Sequence, residues 1–137
     1  MENYINENSD RIEKVPYIVR NGWVFIPCKI NGVEVLMQIE TGSRDVNFST
    51  IAIPALGLES YACSIEWNGQ DFPIDKVDCI LEIGKIKYEV KGGLVSDDVF
   101  ANWYYGLATA GDIGPFFMNN FAYTIDIFNQ QIIFEIN

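Results

Sequence analysis

The sequence contains no histidine. For this chain taken alone, that removes Ser-His-Asp and Cys-His nucleophilic chemistry and every histidine-ligated metal site. Cysteine is scarce too. Cys28, Cys63 and Cys79 are an odd count without CxxC spacing, which fits neither a disulfide framework nor a zinc site. Cys28 lies in a strand-like run and reads as a small buried hydrophobe. The glycines form no G-x-G-x-x-G and no P-loop, so nothing is built to cradle phosphate. Basic residues are few: 9 Lys and Arg stand against 19 Asp and Glu, a formal charge of −10. Without a Lys/Arg cluster a nucleic-acid partner is not expected. A cationic or neutral peptide suits the charge better, beside the plainer reading of a solvated acidic surface. No apolar run approaches the roughly 18–20 residues that cross a bilayer. The opening "MENYINENSDRIEK" lacks the apolar core of a signal peptide, so a soluble chain is expected. Its compartment stays open, because a leader could precede it. No metal or cofactor is called for, and any hydrolysis must run on carboxylates.

What is present is a β-rich text. The 137 residues suit one domain, and 49% hydrophobic with 14% aromatic content supplies a core. Residues 1–14 read as a flexible arm and 15–137 as the domain. Asn-Gly pairs stand at 21–22, 31–32 and 68–69 between apolar runs. Both residues accept the positive φ that a type I′ hairpin turn needs. In "WVFIPCKINGVEVLMQI" the alternation puts Val24, Ile26, Cys28 and Ile30 on one face, and Val33, Val35, Met37 and Ile39 likewise. "SIEWNGQDFPI" reads as a further hairpin, and "DCILEIGKIKYEV" as two strands joined near Gly84. "STIAIPALGL" forms a short helix or an irregular turn, limited by Pro54. Residues 94–110 hold a strand within "GLVSDDV" and a loop. In "GPFFMNNF" Gly114 suits a helix cap and Pro115 the first helical position, with Phe117 and Phe121 on one face. "FAYTIDIFNQQIIFEI" closes the chain as two strands around Asn129-Gln130. The whole predicts an all-β domain with one short helix near the C-terminus.

The stretch "VLMQIETGSRD" runs an apolar strand into a carboxylate, a hydroxyl and a glycine. With "VFIPCKINGVEVLMQIETGS", "ALGL", "EWNGQ", "GDIGPFFMNNF" and "YTIDIFNQQIIF" in that order, residues 15–137 resemble a single lobe of the retropepsin-like aspartic proteases, bacterial single-lobe type. The resemblance implies a closed barrel or sandwich and a homodimer, since each lobe supplies one carboxylate. Two acids at the dimer axis would share a proton and activate water against a peptide bond, because like charges that close do not both ionise. By motif position Glu40 is the catalytic carboxylate. Thr41 is the hydroxyl that bonds across the axis, Gly42 the tight turn, and Ser43 a hydrogen-bonding partner of the carboxylate. Ile113 and Gly114 pack beneath the loop, and Trp67, Asn68 and Gly69 form the tip of a flap over the peptide. Arg44-Asp45 reads as a solvated pair at a position where family members often contact substrate backbone. Asn47-Phe48-Ser49 matches a glycosylation acceptor pattern, which often arises by chance.

One departure matters: the family has Asp where this chain has Glu40. The acid moves outward by about one carbon–carbon bond, ~1.5 Å, and misplacement by about an ångström costs on the order of a hundredfold in rate. Two glutamates could crowd, bend apart, occupy a site widened for them, or reflect an introduced change. Two functions follow. One is a homodimeric endopeptidase weakened or silenced by the glutamate. The other is an inactive peptide-binding or dimerisation module on the same fold. The plain alternative makes "ETGS" a polar turn and Trp67 and Phe72 ordinary hairpin residues.

Overall fold

The computed structural model describes residues 11–42, 45–97, 103–104 and 107–136. Its hairpins are set by turn chemistry. Asn21, Asn31 and Asn68 take φ of 54°, 48° and 52°, and the glycines that follow them 80°, 85° and 79°. Two successive positive φ values give the type I′ turn whose twist matches the flanking strands.

The strands follow in order: β1 (Ile12–Pro16), β2 (Ile18–Arg20), β3 (Trp23–Ile30), β4 (Val33–Ile39) and β5 (Val46–Ser49). After the four-residue helix α1 (Ala52–Ala55) come β6 (Tyr61–Trp67), β7 (Gln70–Ile83), β8 (Ile86–Ser96) and β9 (Trp103–Tyr104). The chain then runs through β10 (Leu107–Ile113), α2 (Pro115–Met118), β11 (Ala122–Asp126) and β12 (Gln131–Glu135). The all-β expectation holds, with two short helices among the described residues where the sequence reading gave one. β1 begins at Ile12, so residues 12–14, assigned above to the arm, pair with β12.

The main sheet is ordered β2-β3-β4-β10-β5-β8-β7-β6. Lys29 and Ile30 of β3 also pair with Glu82 and Leu81 of β7, so the sheet returns upon itself. A smaller sheet, β1-β12-β11, packs at one end. β10 lies parallel to β4 and antiparallel to β5, between them. The sequence reading left 107–110 in a loop, because "LATAGD" has none of the bulky β-branched character of a strand. Gly111 serves close packing instead. A Cβ on Gly111 would run into the backbone carbonyl of Asn47 on β5.

The core fills from alternate residues of these strands. Ile26 and Ile30, Val35 and Met37, Val46 and Phe48, and Ile113 are buried in one cluster. Toward α2 it continues as aromatics: Phe117 meets Tyr88 edge-on at 4.9 Å and Phe121 at 5.4 Å, and Phe121 meets Phe134 at 5.6 Å. Gly114 caps α2 and Pro115 opens it, which is what turns Phe117 into the core. No described helix is long and apolar enough to cross a membrane.

Candidate functional site

Glu40 follows directly on β4, where the strand stops and the chain turns. Its N–H donates to the Ile113 carbonyl at 2.9 Å, so the ladder to β10 continues one step past the strand. The Gly42 N–H donates to Glu40 Oε1 at 2.9 Å. The carboxylate therefore folds back onto its own loop rather than extending, and the residue is half-buried. Gly42 is not in a left-handed conformation. Its value is space, because a Cβ there would stand 3.3 Å from Glu40 Oε1.

The end of β10 stitches the two sides of this loop together. Ile113 accepts from Glu40, and the Gly114 N–H donates to the Asp45 carbonyl at 3.0 Å. Ile113 is fully buried below. Thr41 is exposed. Ser43 and Arg44 lie outside the described residues, so the hydroxyl expected beside the carboxylate is not placed. A cavity of about 40 Å³ borders the loop, lined by Glu40, Thr41, Gly114, Pro115, Met118 and Tyr123 among others. That is room for water and not for a side chain. Tyr123, from β11, was not singled out in the sequence; only its place after α2 brings it here.

Asp45 corrects an expectation. It is not half of a solvated pair: its Oδ1 is buried with no hydrogen-bond partner. Burial pushes its carboxyl above the usual range, partly offset by the Val46 N–H. The phenol of Tyr88 is raised as well, first by its own burial and then by the charge of Asp45. Asn47 is also tied down. Its Nδ2 donates to Asp112 Oδ1 at 2.8 Å, with the residue half-buried in β5, a poor setting for a glycan. Asp112 is 9% exposed. The sequence reading did not single it out.

Trp67 ends β6 and Asn68 and Gly69 form the turn of the β6–β7 hairpin; all three are exposed, Trp67 at 67%. Ile65 and Phe72 are cross-strand partners behind it. At the hairpin's base Asp78 Oδ1 accepts from Tyr61 Oη and from the Gly92 N–H, each at 2.8 Å. That pins β6 and β8 to β7 beside the irregularity between Val77 and Cys79. The hairpin thus has an anchored base and a solvated tip.

No protein-family model and no curated protein matches the sequence. Among solved structures, the chain is similar to a retropepsin-like aspartic protease from Rickettsia conorii, at 17% identity, with 91% of each chain covered and a TM-score of 0.59. At that identity the likeness is one of fold, and the chain has the fold of a retropepsin-like aspartic protease lobe.

Proposed function

We propose that this chain is an aspartic-protease-like domain that works as a homodimer, pairing two Glu40 carboxylates across a twofold axis to hold and hydrolyse extended peptides. With glutamate in place of aspartate, proteolysis is weak or absent. The observation that carries the reading is the Glu40 loop itself. An acid ends a central strand, one of its oxygens is fixed by the Gly42 N–H, and Ile113 and Gly114 brace the loop from both sides. A general acid–base pair needs this preorganisation before it needs anything else.

A free sheet edge beside the loop supports the dimer. β11 pairs only with β12 among the described residues, and its Tyr123 borders the same cavity as Glu40. Along that strand and its turn Tyr123, Ile125, Ile127 and Phe128 are 41%, 53%, 73% and 100% exposed. An apolar unpaired edge is a template for another strand. Antiparallel pairing of two β11 edges would bring the two loops toward one axis and cover these side chains.

The test joins assembly to chemistry. Sedimentation at micromolar concentration is expected to show a dimer that Ile125→Lys dissociates. Glu40→Asp retracts the carboxylate by about 1.5 Å while an aspartate can still accept from the N–H two residues on. Cleavage of a mixed peptide library between about pH 4 and 7 should then rise on the order of a hundredfold. A strict monomer, or silence from both forms as dimers, would refute the proposal.

A further inference from the structure

Glu40 has a neighbour that its own loop does not supply. Strands β2, β3 and β4 lie side by side, and Phe25 of β3 stands opposite Gln38 of β4. One step further along both strands come Val24 and Ile39, which pack against the apolar core. The next step therefore turns Trp23 and Glu40 to the other face. With the register carried on, they stand opposite each other at roughly 5 Å between Cα atoms. Arg20 of β2 pairs with Trp23 on its far side. A cation, an indole and a carboxylate thus form one row across three strands, with Arg20 two strand spacings, roughly 10 Å, from Glu40.

Exposure changes abruptly at this row. On the same face one row away, Phe25 is fully buried and Gln38 nearly so, and that part of the sheet is closed to a ligand. At the next row Trp23 is 47% exposed, Arg20 is exposed and Glu40 is half-buried. The cover over this face therefore ends between the two rows, and the surface that opens begins with Trp23 and Glu40 together. Strand β3 meets solvent on this face at two places. At Lys29 it does so with a charge, and at Trp23, beside the acid, with the largest apolar side chain there is. Tryptophan left open at the edge of a site is a residue that recognition uses.

Resting on the reading of Glu40 as the centre of a peptide-binding face, we infer that Trp23 is a specificity-determining residue: its indole is the platform for a bulky aromatic or aliphatic side chain of the peptide, next to the bond over Glu40. Contact with an indole face needs no enclosed pocket, because one flat surface lies on another and apolar area leaves water on both. The charges around the platform are balanced. Arg20 and Glu40 flank Trp23 with opposite signs at similar separations, so a cationic side chain there gains little and apolar contact decides. That sets this position apart from the peptide as a whole, which the chain's charge of −10 would bias toward cations.

The experiment uses the full chain and fluorescein-labelled extended peptides in which phenylalanine, leucine, lysine or alanine is moved through each position. Fluorescence anisotropy is expected to show one position where phenylalanine and leucine bind about tenfold tighter than alanine, while lysine gains no more than about twofold. Trp23→Thr should bring the phenylalanine preference to within about twofold, and Trp23→Phe should keep most of it. Arg20→Gln leaves the Glu40 charge without its counterpart on that row, so lysine should gain at this position alone. A second readout serves if Trp23→Thr does not fold. The indole N–H signal that Trp23→Phe removes from the NMR spectrum should shift when the preferred peptide is added to wild-type protein. An apolar preference equal at all positions, one that survives Trp23→Thr, or an indole signal unmoved by a bound peptide would overturn the inference and leave the peptide face standing. Wild-type protein that binds none of these peptides fails the peptide-face reading itself, and the inference falls with it.

Discussion

Replacing Gly111 by alanine tests the central strand, on which the site depends. A Cβ at this position would strike the Asn47 carbonyl, and would also stand 2.9 Å from the Asn47 carbonyl carbon and 3.0 Å from Phe48 Cα. These are backbone atoms of β5, so no side-chain rotation relieves the contact and the two strands must part. Overpacking in an interior costs about 1–3 kcal/mol, and weakening the pairing of Gly111 with Phe48 adds about 1 kcal/mol per hydrogen bond. A loss of roughly 3 kcal/mol follows, or on the order of 10 °C in melting temperature for a chain of this size. Gly69→Ala is the control. Gly69 has φ +79° with nothing within 4 Å, so its substitution carries only the left-handed strain of about 1–2 kcal/mol. Thermal and urea unfolding followed by circular dichroism would measure both. If Gly111→Ala melts with the wild type, β10 does not run between β4 and β5 as described, and the bracing of the Glu40 loop goes with it.

Further expectations concern charge and thiols. Burial raises the Asp45 carboxyl, so its folded-state pKa lies above the unfolded one, and its ionisation costs stability as pH rises through that range. Asp45→Asn should therefore stabilise the protein at neutral pH and make no difference below about pH 3; an equal loss at both would refute the assignment. Asp78 is the opposite case. The Gly92 N–H and then Tyr61 Oη hold its carboxyl below the usual range, so its contribution is present above the unfolded pKa and fades as pH falls through the folded one. Asp78→Ala should weaken the fold at neutral pH, with the gap to wild type closing in acid. Among the cysteines, Cys63 is exposed while Cys28 and Cys79 are buried. Burial, then the charge of Asp78, pushes the Cys79 thiol up to about 11, and burial with the neighbouring Cys79 takes Cys28 higher still. A thiol-reactive disulfide at about pH 8 should label Cys63 alone in the native protein, since the thiolate is the reacting form. Rapid labelling of Cys28 would contradict the packing of β3.

Local chemistry wrote much of this fold into the sequence. Asn-Gly pairs demand positive φ at two successive residues, and all three became the turns of hairpins. Gly114-Pro115 suited the opening of a helix, and alternation in β3 and β4 fixed which side chains face inward. Those features rest on single residues or near neighbours, so no tertiary knowledge is needed to read them. What lies across strands was not legible. Between Leu107 and Ile113 strand β10 carries only small and polar residues, and its identity comes from the space between β4 and β5, which no local preference encodes. Asp45 looked like a surface acid until the fold set it against Tyr88, and Asp112 gained Asn47 and Gln38 as neighbours only through pairing over long stretches of chain. A residue's turn preference and periodicity belong to the chain, whereas its desolvation and its partners across a sheet exist only once distant strands have met.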